Sequence, residues 1–290
     1  MNHYDVAIIG AGIAGLTAAI YSSRAGKSVV IFEGEGIGGQ IASSPVVENY
    51  PAYSEISGME LSDKIYEQAI NLGAELEFDK VVEIIPGKKA IIKAEYSEYT
   101  ADKLIIATGA KHRHLGIERE FDLVGRGISY CAVCDGTLYK GGTVAVVGGG
   151  NTAVTSAIYL SGICKKVYLI HRRDEFRADV ELAERAKNIS NIEMKLSRTV
   201  SRLIGDDKIS QIELNDGEIL DLDALFVNIG QVPNTELVRD LLNLDESGFI
   251  IADESCKTKY DNIFVAGDVR TKVARQLTTA AADGTVAALA

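Results

Sequence analysis

The chain has 290 residues, 47% of them hydrophobic and 24% charged, and a formal net charge of −11 at pH 7. Such a length accommodates two domains, each with its own core, and the composition is that of a soluble globular protein. The acidic balance, with no basic stretch to offset it, argues against a nucleic-acid partner, and no apolar run approaches the roughly 20 residues of a membrane span.

A strand is predicted almost at once, from Tyr4 to Ile9, leaving no room for a signal peptide. Its core, Asp5-Val6-Ala7-Ile8-Ile9, has the apolar continuity of a buried parallel strand. Gly10-Ala11-Gly12-Ile13-Ala14-Gly15 follows, then a helix to about Gly26 and a strand over residues 28–32 closed by Glu33. Together these form a β-α-β unit. Gly38-Gly39-Gln40 and Asn49 come next, a helix is expected over residues 58–73, and strand-rich sequence containing Val82 runs from about 76 to 99. Leu104-Ile105-Ile106-Ala107 is another buried strand, ended by Thr108-Gly109. Charged, Gly-rich sequence at 111–130 marks a domain crossing, and Cys131-Ala132-Val133-Cys134-Asp135 follows it.

A second β-α-β unit begins at residues 143–147, continues through Gly148-Gly149-Gly150-Asn151-Thr152-Ala153 and a helix to about Ser161, and ends in a strand over 166–170. Meander-like strands fill 192–227, the chain turns at Val232-Pro233-Asn234, and a strand over 263–266 leads into Gly267-Asp268. Arg275-Gln276 then open an Ala-rich closing helix. The expected fold is α/β: two Rossmann-like nucleotide-binding domains of three-layer β/β/α type, with residues 113–243 inserted between 1–112 and 244–290.

The two Gly-rich fingerprints differ in charge at one register. In the first, Gly10, Gly12 and Gly15 permit a tight turn, and with Ile13 and Ala14 they bring backbone N–H groups to a pyrophosphate at a helix N-terminus. Glu33 stands 23 residues after Gly10. A carboxylate there accepts from an adenosine ribose and repels a 2′-phosphate, so this site suits FAD or NAD. The second uses Gly148, Gly150 and Ala153, with Asn151 and Thr152 completing the loop. Its residue 23 positions on is His171, followed by Arg172, Arg173 and Arg177, and no carboxylate is present. Guanidinium groups match a 2′-phosphate, so FAD is expected at the first site and NADPH at the second. Gly38, Gly39, Gln40, Asn49, Val82, Ala107, Thr108, Gly109, Gly267, Arg275 and Gln276 are assigned to the flavin, with Asp268 as a ribitol acceptor.

A C-x-x-C pair is a redox motif because two intervening residues let the sulfurs close into a small ring and reopen at low strain. Four cysteines in a chain with no targeting segment imply a reducing cytoplasm, where such a pair is catalytic or metal-binding. Cys164 and Cys256 are single and distant, and the four histidines lack metal spacing, so no metal site is expected. Two nucleotide sites beside a dithiol indicate an electron relay from nicotinamide to flavin to disulfide.

The blocks Gly10–Gly15, Gly38-Gly39-Gln40, Ala107-Thr108-Gly109-Ala110, Cys131–Gly136, Gly148–Ala153, His171–Ala178 and Gly267-Asp268-Val269 occur in this order. With them the chain resembles the bacterial-type, low-molecular-weight thioredoxin reductases over nearly its whole length. The resemblance implies an FAD domain split around an NADPH domain that carries the redox disulfide, a homodimer, and thioredoxin as the partner. It also implies that Cys131 attacks the thioredoxin disulfide, that Cys134 lies nearer the flavin, and that Asp135 gives or takes the proton. Because both the dithiol and the NADPH site need the flavin, it further implies a rotation between domains. The chain departs from the family pattern at Ile13, at Thr155-Ser156, at Gly116-Ile117-Glu118 and in its end at Ala290. Two other readings use the same residues: a reductase of another dithiol protein such as a peroxiredoxin or glutaredoxin-like partner, and a redox-inactive nucleotide sensor.

Overall fold

The computed structural model describes residues 2–290. They form two compact units, residues 2–111 with Val232–Ala290, and His112–Gln231. The first unit opens with β1 (Asn2–Ile9), α1 (Ile13–Arg24), β2 (Val29–Phe32), α2 (Gly58–Asn71), β3 (Glu75–Glu77), β4 (Val81–Ile85), β5 (Ala90–Ala94) and β6 (Glu98–Ile106), and β7 (Ala110–His112) leads out of it. The second unit contains β8 (Ile128–Ser129), α3 (Ala132–Asp135), β9 (Thr143–Val147), α4 (Asn151–Ser161), β10 (Lys166–His171), α5 (Val180–Lys187) and β11 (Ile192–Leu196). It continues with β12 (Val200–Ile204), β13 (Gln211–Leu214), β14 (Ile219–Asp221) and β15 (Ala224–Val227). The chain returns through β16 (Gln231–Pro233) and closes with β17 (Ile263–Val265) and α6 (Leu277–Leu289).

In the first unit β1 pairs in parallel with β2 and β6, and β17 pairs in parallel with β6. The antiparallel strands β4 and β5 extend the same sheet. Successive side chains of β1 face opposite ways, as a pleated strand requires. Val6 and Ile8 pack with α1 residues such as Leu16 and Ala19, whereas Ala7 and Ile9 pack with Val81, Ile84 and Ile92 of the antiparallel strands. Both faces are therefore covered, which is why β1 is apolar without alternation. Ser57 starts α2 by accepting from the Glu60 N–H at 3.1 Å.

The second unit repeats the scheme. Its parallel sheet runs β11-β10-β9-β15-β8. Val144 and Val146 face Val154 and Ala157 of α4, while Ala145 and Val147 face Leu203, Ile212 and Leu220 of the antiparallel β12-β13-β14 sheet. Each unit thus stacks helices, a mainly parallel sheet and an antiparallel layer.

The second crossing lies at Gln231/Val232, twelve residues before the expected 243/244. The reason is packing: Val238, Leu242 and Ile250 are buried in the first unit's core beside Ile92 and Val265. The turn at Val232-Pro233-Asn234 is the crossing itself. β7 and β16 pair as a two-stranded ribbon. No helix among the described residues is long and apolar enough to cross a membrane.

Candidate active site

In the first unit, the chain between β1 and α1 is shaped by Gly10, whose φ of +107° disfavours any L side chain. A Cβ there would also run into the carbonyl of Ala107 at the end of β6. The loop is held from the next strand. Glu33 Oε2 accepts from the Ala11 N–H at 2.8 Å, and Oε1 accepts from the N–H groups of Gly34, Glu35 and Gly36. Four N–H groups leave acceptor capacity on Oε2 for a ribose hydroxyl. Gly38 joins the loop by donating its N–H to the Ala11 carbonyl at 2.9 Å. Replacing Gly10 with Ala should therefore cost roughly 1–3 kcal/mol, from backbone strain and the clash. Urea unfolding of the variant checks this, and unchanged stability would contradict the close approach.

In the second unit, Gly148 (φ +151°) occupies the equivalent place, and a Cβ there would meet the Asn228 carbonyl at the end of β15. Arg172, Arg173 and Arg177 are exposed, and none of them forms an ion pair among the described residues. That leaves three guanidinium groups available to a phosphate. His171, unlike the three arginines, is buried. Its ring is 5% exposed and stacks on Phe176 with centroids 5.5 Å apart. Burial and the neighbouring Arg177 hold its imidazole below the usual histidine range. The side-chain amide of Asn151 exchanges hydrogen bonds with Asp179.

Just after β8 the two sulfurs of Cys131 and Cys134 form a disulfide, with Cα atoms 5.3 Å apart. Cys131 occupies the N-cap of α3, and its Sγ accepts from the Cys134 N–H at 3.2 Å. Ser129 ties the motif together. Its Oγ–H donates to Asp135 Oδ2 at 2.6 Å, and the same oxygen accepts from the Cys131 N–H at 3.0 Å. One chain thus combines two nucleotide cradles of opposite charge with a disulfide. Residues 4–284 match the family of pyridine nucleotide-disulphide oxidoreductases. The chain belongs to that family. It is 44% identical to a thioredoxin reductase of Mycoplasma genitalium, over 99% of this chain and 93% of that protein. It is 42% identical to one of Bacillus subtilis, over 98% and 91%. The crystal structure of thioredoxin reductase from Streptococcus pyogenes superposes with a TM-score of 0.94 at 40% identity, covering 99% of this chain and 96% of that one.

As an oxidoreductase of this family, the chain has a first cradle that fits a dinucleotide with a polyol stem. Asp268 Oδ1 is buried and has no hydrogen-bond partner, and burial pushes its carboxyl above the usual carboxylate range. A bound hydroxyl would satisfy it. The turn carrying Asp268 is anchored from α6: Asp283 Oδ2 accepts from the Gly267 N–H, Arg270 Nε and Lys272 Nζ, each at 2.9 Å. Arg275 Nε donates to the Asp268 carbonyl at 3.3 Å and its guanidinium lies 4.0 Å from the centre of the Phe249 ring. Asn49 and Gln276 meet through a 3.4 Å hydrogen bond, and Gln276 caps α6 with Thr279. Gln40 Nε2 donates to the Ala110 carbonyl. Thr108 and Asn234 exchange hydrogen bonds at 2.7 Å. Val82 stands apart, with 53% of its surface exposed on β4.

Sequence reasoning missed Ser129, Asp179 and Asp283. Ser129 carried a faint signal, a hydroxyl two residues before the first cysteine. Cys164 and Cys256 are both buried thiols, and burial pushes Cys256 up to about 11, which makes it a poor nucleophile. Among the described residues no cluster of His, Cys, Asp or Glu is arranged to hold a metal ion.

Proposed function

We propose that this chain is a thioredoxin-disulfide reductase, driven by NADPH at the second cradle and FAD at the first, and working as a homodimer in the cytoplasm. The observation that supports it most is the Cys131–Cys134 disulfide in a chain with two oppositely charged cradles. FAD, when bound, supplies the two-electron relay between nicotinamide and disulfide. The chain's own residues do the rest. Two electrons open the Cys131–Cys134 bond to a dithiol. The Cys134 N–H that points at Cys131 Sγ favours a thiolate on that sulfur. That thiolate attacks the disulfide of thioredoxin and forms a mixed disulfide. Cys134 then attacks Cys131 Sγ, closes the ring and releases the thioredoxin dithiol. Asp135, held by Ser129, takes and returns the proton that the departing thiolate needs.

Thioredoxin sits at about −270 mV, and a donor couple about 30 mV more oxidising faces roughly 1.4 kcal/mol uphill for two electrons. The Cys131–Cys134 couple therefore belongs close to or below thioredoxin's. NADPH oxidation followed with and without added thioredoxin tests the reading: turnover should depend on thioredoxin and saturate with it. Full turnover with a glutaredoxin or peroxiredoxin, and none with thioredoxin, would move the partner to another dithiol protein.

The dithiol and the arginine-marked cradle share one unit, while the glutamate-marked cradle lies in the other. Both need the same flavin, so the catalytic cycle calls for a rotation about the β7–β16 ribbon. An engineered cross-link that locks the units should stop steady-state turnover and leave one half-reaction intact. Undiminished turnover in the locked protein would rule the rotation out.

A further inference from the structure

We propose that Asp179 is a positioning residue for discrimination between NADPH and NADH, acting by bracing the arginine arm onto the pyrophosphate loop. This rests on the reading of the second cradle as an NADPH site and concerns a residue outside its fingerprint. Asp179 stands at the N-cap of α5, where an aspartate ordinarily accepts from the first turn of its own helix. Its side chain makes no such bond. It turns instead to the nucleotide loop, where Asn151 Nδ2 donates to Asp179 Oδ2 at 3.0 Å and the Asp179 N–H donates to Asn151 Oδ1 at 2.8 Å. Two further bonds continue the brace. The Gly149 carbonyl accepts from the N–H groups of Arg177 at 2.7 Å and Ala178 at 3.1 Å. Three consecutive residues of the arm are thereby fixed to Gly149 and Asn151, which flank the turn expected to receive the pyrophosphate.

The consequence is geometric. A 2′-phosphate lies a set distance from the pyrophosphate within one ligand, so an arm registered to the pyrophosphate loop presents its guanidinium groups where that phosphate falls. The sign of the effect separates this from simple electrostatics. Asp179 is an anion, so removing it should strengthen phosphate binding if charge alone mattered. Loss of the brace should weaken it.

Calorimetric titration of the holoenzyme with 2′,5′-ADP and with 5′-ADP tests the inference. Asp179→Ala should weaken 2′,5′-ADP about tenfold while 5′-ADP changes by less than about twofold. Asp179→Asn keeps an acceptor for Asn151 Nδ2 and should restore 2′,5′-ADP binding to within about twofold of the parent. Tighter binding of 2′,5′-ADP to Asp179→Ala, or an equal loss for both probes, would overturn the brace. A parent protein that binds both probes equally would instead overturn the NADPH reading, and the inference with it.

Discussion

Replacing Cys134 with Ser should lower thioredoxin-dependent turnover on the order of a thousandfold or more, while NADPH still bleaches the flavin. A serine cannot form the ring disulfide, so the variant has no acceptor for two electrons and no way to resolve a mixed disulfide. Cys131→Ser should lose turnover equally, because it removes the sulfur that the Cys134 N–H and the N-cap of α3 support as a thiolate. The nucleotide cradles contain neither sulfur, so the first half-reaction has no reason to fail. Steady-state assay and anaerobic absorbance on the same samples measure both. Retained thioredoxin reduction by either variant would show that the electrons leave by another route.

The second large effect concerns nucleotide choice. Removing the three guanidinium groups together, as Arg172→Ala, Arg173→Ala and Arg177→Ala, should raise KM for NADPH about a hundredfold or more and change KM for NADH little. Each charge-assisted hydrogen bond is worth about 1.5–3 kcal/mol, and the three share one phosphate, so the sum falls short of additive. The preference of the parent should also weaken with added salt, since the arm is exposed, and that salt dependence should vanish in the variant. An unchanged ratio of the two KM values would remove the arm from the site.

Much of this was legible in the sequence because it is encoded locally. Gly10, Gly12 and Gly15 lie within one turn between an apolar strand and a helix, and Cys131 and Cys134 are three residues apart. Opposite charge at Glu33 and at Arg172-Arg173 needs only a count along the chain. The supporting contacts were not legible, because they join residues far apart in sequence. Asp179 meets Asn151 across 28 positions, and Asp283 anchors Gly267 from the following helix. Asp179 is also a residue type ordinary at a helix N-cap, so nothing in its local sequence points to Asn151. His171 stands at the ribose register in the sequence, and as the last residue of a buried strand it turns its ring to Gly149 and Phe176, a contact that only folding reveals. The second crossing was misplaced because Val238 and Leu242 are apolar in a way that fits either core, and only packing assigns them.

In the proposed relay electrons pass from NADPH through bound FAD and the Cys131–Cys134 pair to thioredoxin. Sequential anaerobic rapid mixing tests it in a single trace: the holoenzyme meets two equivalents of NADPH, enough to reduce both the disulfide and the flavin, and oxidised thioredoxin is added after the flavin absorbance has fallen. The expected result is prompt return of the flavin absorbance with formation of reduced thioredoxin, and loss of that return in Cys134→Ser. A flavin that NADPH bleaches but that neither thioredoxin nor any other protein disulfide reoxidises would contradict it.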